Sequence, residues 1–142
     1  MRAKEYLREI RRLEICCRQK REEIEILRDQ ATCLRSVEIQ HDRIQTTPDG
    51  QGFTRFIDRA AEMEDELTAD LERLQEIRHE RIQMIQRLDN AEYIDLLYMY
   101  YVLNKSMSYI ADYIGHELSY TYNMHLAALE EFEKKFPEIL EM

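Results

Sequence analysis

Residues 106–133, SMSYIADYIGHELSYTYNMHLAALEEFE, decide how the chain is read. Two short apolar-periodic segments flank Gly115. Ile110 and Ile114 share a face of the first, and Thr121, Met124 and Ala128 share a face of the second, at steps of three and four. Ala111 is small enough for a close helix crossing, and Gly115 can leave a helix at positive φ. The pattern predicts a helix-turn-helix, in which one helix braces another for insertion into a DNA major groove. Ser119, Tyr122, Asn123 and Leu126 are its outward positions: Asn123 suits adenine, Ser119 a phosphate, and Tyr122 a phosphate or a thymine methyl. The same face carries no Lys or Arg from Glu117 to Glu133, which leaves contact with a protein as the alternative.

Upstream, Asp89 or Asn90 caps a third helix over 91–103. Glu92 lies in its first turn, where the helix dipole favours an anion. Ile94, Leu97, Tyr98 and Tyr101 form one stripe, which Leu96, Tyr100 and Leu103 widen, so this helix is expected to be the core of a small head. Nine tyrosines, most of them between Tyr93 and Tyr122, are read as core packing rather than as a stacking platform for bases. Downstream, Pro137 closes the last helix, and residues 137–142 are expected to fray.

The first ninety residues follow a different pattern. Tyr6, Ile10, Leu13, Cys17, Lys20, Ile24, Leu27, Ala31 and Leu34 repeat in alternating steps of four and three, a heptad seam with one polar break at Lys20. A helix from Ala3 to about Ile39 would reach ~55 Å, and it needs a partner over its seam. A sparser stripe, Ile15, Ile26 and Val37, lies on another face. Residues 40–52, with Pro48, Asp49, Gly50 and Gly52, interrupt the pattern as a turn or loop. A second helix from Phe53 to Leu88 places Phe53, Ile57, Ala60, Met63, Leu67, Leu71, Leu74, Ile77, Ile85 and Leu88 inward. The expected fold is therefore all-α: a long antiparallel, coiled-coil-like hairpin over 1–89, then a three-helix head over 90–136. Residues 22–38 and 54–72 are both net acidic, so hairpin pairing looks poorly matched in charge. That mismatch and the second stripe predict a homodimer.

The formal net charge is −9 over 142 residues, with 35% charged residues and only three Gly and two Pro. Such a charge argues against a nonspecific nucleic-acid binder, because phosphate contacts need local cations, and local balance matters more than the total. The local balance is uneven: residues 1–21 carry eight basic and three acidic side chains, and residues 90–142 carry three and nine. The arginines near the start, Arg8, Arg11 and Arg12, are candidates to meet phosphate or an acidic partner. A solvated face is the bland alternative. Cys16, Cys17 and Cys33 lack CxxC spacing and read as core or surface thiols. His79-Glu80 and His116-Glu117 lack the second His of a zincin, and Glu62, Asp65 and Glu66 fit a solvated face. No catalytic residue, metal site, cofactor or small-molecule substrate is predicted. With no secretory pattern and no membrane-length apolar run, the expected location is the cytoplasm.

The stretches AKEYLREIRRLE (3–14), NAEYIDLLYMYY (90–101) and IADYIG with MHLAALEEFE (110–115 and 124–133) together resemble small phage-encoded regulators of Gram-positive bacteria. Those proteins join a helical hairpin to a head similar to sigma factor region four. The match holds at Tyr6, Leu7, Ile10, Leu13, Glu92, Tyr93, Lys105, Ser106, Ile110, Ala111 and Gly115, and again at Tyr122, His125, Ala128, Leu129 and Phe132. It implies transcriptional regulation in a bacterial host through promoter DNA, RNA polymerase, or both. It also adds His125 and Lys105 to the candidate contacts. Family members tend to show Arg where this chain has Ser119, Asn123 and Ala127, and a Ser where it has Glu117. The resemblance therefore carries the scaffold further than the activity. The alternative is an adaptor whose helix-turn-helix has lost DNA binding.

Overall fold

The computed structural model describes residues 1–41 and 51–142, and it contains helices and no strand among the described residues. The expected turn at Pro48, Asp49 and Gly50 lies outside them. Helix α1 spans Ala3–His41 and α2 spans Gln51–Gln86. Gly52, expected in the loop, belongs to the first turn of α2. The chain divides into two compact units, Ile15–Arg73 on one side and Met1–Glu14 with Leu74–Met142 on the other. This differs from a boundary at residue 89, because the first turns of α1 and the last of α2 cluster with the C-terminal helices.

Within the unit 15–73, α1 and α2 run antiparallel. Cys17, Ile24, Leu27 and Ala31 of α1 are buried, as are Ala60 and, in the other unit, Leu74 of α2. Apolar burial of this kind is worth about 1.5–3 kcal/mol for a fully enclosed Leu or Ile. Lys20, the polar break in the seam, donates to Asp70 Oδ2 at 2.6 Å and lies 3.6 Å from Glu66. Arg28 pairs with Glu64, and the Arg35 guanidinium lies 5.5 Å from the centre of the Phe53 ring. Antiparallel pairing therefore sets single cations against the acidic stretch of α2, which relieves the charge mismatch that net totals suggest. Ile15, Ile26 and Val37 remain 38%, 55% and 48% exposed, as a stripe off the seam should. Ile57 is exposed rather than inward; half-buried Phe56 sits beside it. Cys17 is buried, and burial raises its thiol pKa, so it behaves as a small apolar side chain.

In the other unit, the antiparallel register recurs. Glu14 accepts from Arg78 at 2.5 Å, and Glu9 accepts from Arg81 at 2.8 Å. Arg81 occupies the inward step between Ile77 and Ile85 that an apolar reading passes over. It is 5% exposed, lies 3.8 Å from the centre of the Tyr6 ring, and also donates to Glu80 at 3.0 Å. Glu80 in turn accepts from the Tyr6 hydroxyl at 3.1 Å. Burial, with Glu80 and Glu9 acting against Arg81, pushes the Tyr6 pKa up to about 12.

Helix α3, Ala91–Leu97, opens on Asn90, whose side-chain oxygen accepts from the Glu92 N–H at 2.9 Å. It then widens into a π-helical turn over Tyr98–Val102, closed by Leu103 N–H donating to Tyr98 O at 3.1 Å. The expected plain helix to Leu103 is thus modified. Leu96, Leu97, Met99, Tyr101 and Val102 are buried, but Leu103 is turned out at 46% exposure. Asn104 stops the turn at φ 57°, a left-handed conformation that Asn tolerates better than most residues.

Helix α4, Met107–Ile114, is capped by Ser106, whose Oγ accepts from the Tyr109 N–H at 3.1 Å. Gly115 ends it at φ 84°, and His116 N–H reaches back to the Ala111 carbonyl at 3.0 Å in a Schellman-type closure. A Cβ at Gly115 would meet no atom within 4 Å, so only backbone strain opposes a side chain there. Gly115→Ala should lower stability by about 1 kcal/mol, read as a shift in urea midpoint. Helix α5, Leu118–Lys135, packs against α3 and α4. Where fraying was expected, Pro137–Glu141 forms a 3₁₀ turn with Ile139 1% exposed, and the Met1 ammonium donates to Leu140 O at 3.3 Å.

Candidate functional site

On α5, the inward and outward rows separate cleanly. Thr121, Met124, Ala128, Leu129 and Phe132 are buried. The Thr121 hydroxyl donates to the Glu117 carbonyl one turn back at 2.9 Å, which satisfies it inside the core. Ser119, Tyr122, Asn123 and Leu126 are exposed together, spaced three, one and three residues apart. Glu117 takes the N-cap backbone geometry without a capping side-chain bond.

Three tyrosines expected in the core, Tyr109, Tyr113 and Tyr120, stand outside it, alongside Tyr122, which the helix-turn-helix pattern places outward. Tyr109, Tyr113, Tyr120 and Tyr122 are each about half exposed or more, and Leu118 is 44% exposed. A tyrosine ring suits either environment when its hydroxyl reaches water, so periodicity alone could not sort these from Tyr101. Tyr101 is buried, and the ring pairs Tyr100–Tyr101 and Tyr100–His125 lie at centroid distances of 4.9 and 5.0 Å.

His125 belongs to this inner group. It is 8% exposed, with Nε2 2.7 Å from the Tyr101 hydroxyl. Burial, assisted by the positive charges of Lys4 and Arg8, lowers its pKa to about 4. It is neutral at pH 7 and turned inward, so it braces α5 instead of donating to a phosphate in front of it.

The α1 cations reach the same unit. Arg8 and Arg11 line a cavity of about 280 Å³ together with Tyr100, Tyr101 and Asn104. Arg8, Arg11 and Arg12 are exposed, and none has a carboxylate within 4.0 Å among the described residues. Lys105 is exposed, with its ammonium 4.9 Å from the centre of the Tyr109 ring. Nothing in the sequence alone links position 8 or 11 to position 100. Among the described residues no cluster of His, Cys, Asp and Glu is arranged to hold a metal ion, and no helix is long and apolar enough to cross a membrane.

Compared with known proteins, the chain matches no family model, no curated protein and no solved structure.

Proposed function

We propose that the chain is a phage-type transcriptional regulator in which α4, the Gly115 turn and α5 act as a helix-turn-helix on promoter DNA. Helix α5 enters the major groove with Ser119, Tyr122, Asn123 and Leu126, while Arg8, Arg11, Arg12 and Lys105 take backbone phosphates. The observation that carries this reading is that one compact unit holds both the outward row on α5 and exposed α1 cations with no carboxylate within 4.0 Å among the described residues. A recognition helix with no Lys or Arg before Lys134 needs an electrostatic anchor for its outward row from elsewhere, and the first turns of α1 supply cations of the right kind. On this reading the regulator is a cytoplasmic homodimer, supported by the exposed stripe Ile15, Ile26 and Val37.

A second reading rests on a different observation. Leu118, Tyr120, Tyr122 and Leu126 are all exposed on a helix that has no cation before Lys134. Exposed tyrosine with little lysine is the composition of a protein interface. In that case α5 binds RNA polymerase or another protein partner.

Selection of bound sequences from random duplex at low salt, followed by a salt titration, separates the two. DNA binding predicts an enriched sequence and an affinity that falls linearly with salt on logarithmic axes. Asn123→Ala should then cost about 1–3 kcal/mol at one base position. An affinity that stays level between low and moderate salt would contradict the first reading. Absence of enrichment, with polymerase captured by the unmodified chain and released by Tyr122→Ala, would establish the second.

A further inference from the structure

We infer that Arg8, Arg11, Tyr100 and Asn104 form a socket for a single phosphate group. Under the DNA-binding reading, on which the choice of ligand rests, that group is a backbone phosphodiester. Arg8 and Arg11 stand three residues apart on α1, so they share a face and repel one another. Both border the 280 Å³ cavity, and neither is answered by a carboxylate among the described residues. Against ~30 Å³ per water in the liquid, the space admits a phosphate with hydrating waters.

The rest of the cavity lining, Tyr100, Tyr101 and Asn104, is neutral and carries donors. The π-helical turn brings both Tyr100 and Tyr101 to the cavity, but Tyr101 is 3% exposed with its hydroxyl 2.7 Å from His125 Nε2, whereas Tyr100 is half-buried. The Tyr100 hydroxyl is therefore the phenolic donor for a ligand. Asn104 is held at φ 57°, and it spends one amide hydrogen on Glu14 Oε2 at 2.9 Å, which leaves the other. The other oxygen of Glu14 accepts from Arg78 at 2.5 Å, so the charge of this carboxylate is already met. Two guanidinium forks and two neutral donors suit an oxyanion with several acceptor oxygens. Arg12, next to Arg11 in the chain, is also exposed with no carboxylate within 4.0 Å among the described residues, and this run of cations favours an extended polyanion over one protein carboxylate.

The test uses the full chain and fluorescence anisotropy on the selected duplex across a salt series. Arg8→Gln with Arg11→Gln should reduce the slope of log affinity against log salt by about 0.9, the signature of one lost phosphate contact. Arg73→Gln, a cation on α2 in the other unit, should leave the slope unchanged. Tyr100→Phe and Asn104→Gly, which keeps the left-handed backbone accessible, should weaken binding several-fold at constant slope. A double variant that binds duplex with the original slope overturns the socket and leaves DNA binding intact. If no duplex binds at any salt, the DNA reading falls and inorganic phosphate decides the socket by NMR at constant ionic strength. A saturable shift of the Asn104 side-chain amide that Arg11→Gln abolishes sustains it. A shift that is absent, or that acetate produces and phosphate does not, overturns it.

Discussion

Phe132→Ala should destabilise the protein by about 3–5 kcal/mol, a large share of the 5–15 kcal/mol that holds a typical domain together. Phe132 is fully buried, with its ring centre 6.3 Å from that of Tyr6 and 5.0 Å from that of Phe136. It thus joins the first turns of α1, the body of α5 and Phe136, the residue that caps the C-terminal 3₁₀ turn. Truncation removes the transfer energy of a phenyl ring and leaves a void that three separate elements cannot all close. The urea midpoint should fall with the slope preserved. Leu126→Ala, on a residue 61% exposed, should stay within about 0.5 kcal/mol. A loss below 1 kcal/mol at Phe132 would mean that α5 does not pack on the start of α1.

Acidification should act through His125. Its folded pKa of about 4 lies below the ordinary value of 6.5, because burial and the charges of Lys4 and Arg8 disfavour the imidazolium. As pH falls below 6.5, the unfolded chain binds this proton first. The stabilisation is therefore complete above about pH 6.5, is lost progressively toward pH 4, and changes no further below that. The full difference corresponds to about 3 kcal/mol, and solvent at the rim of the unit brings the expected loss to about 2 kcal/mol. Urea unfolding at pH 7 and pH 4.5 should show a smaller pH dependence for His125→Gln than for the unmodified chain. The imidazole Cε1–H resonance should stay flat between pH 8 and 5. A titration midpoint near 6.5 would show that the ring is solvated and that its pairing with Tyr101 is wrong.

Both effects depend on contacts that differ in how far a sequence can announce them. Thr121, Met124 and Ala128 were legible as an inward row because helical period assigns residues to faces, and Gly115 was legible as a stop because few residues accept φ 84°. Arg81 was not. Its charge argues for solvent, yet its stem and guanidinium cover Tyr6 while Glu9 and Glu80 answer the charge. Ile57 and Leu103 went the other way, apolar residues left outside by the register of α2 and the π turn. Tyr109, Tyr113 and Tyr120 depart from the core reading for a related reason, since a phenol satisfies either side of a surface.

From its residues alone, the chain determined that it is helical, where most helices begin and end, and which face of each is apolar, because these follow from spacing along one strand of backbone. Tertiary structure decided which faces meet. It set Arg8 and Arg11 beside Tyr100, seated His125 against Tyr101, and tucked Ile139 beneath the end of α5. Such pairings join positions far apart in the chain. Their free energy comes from burial and charge compensation between segments, which no local period encodes.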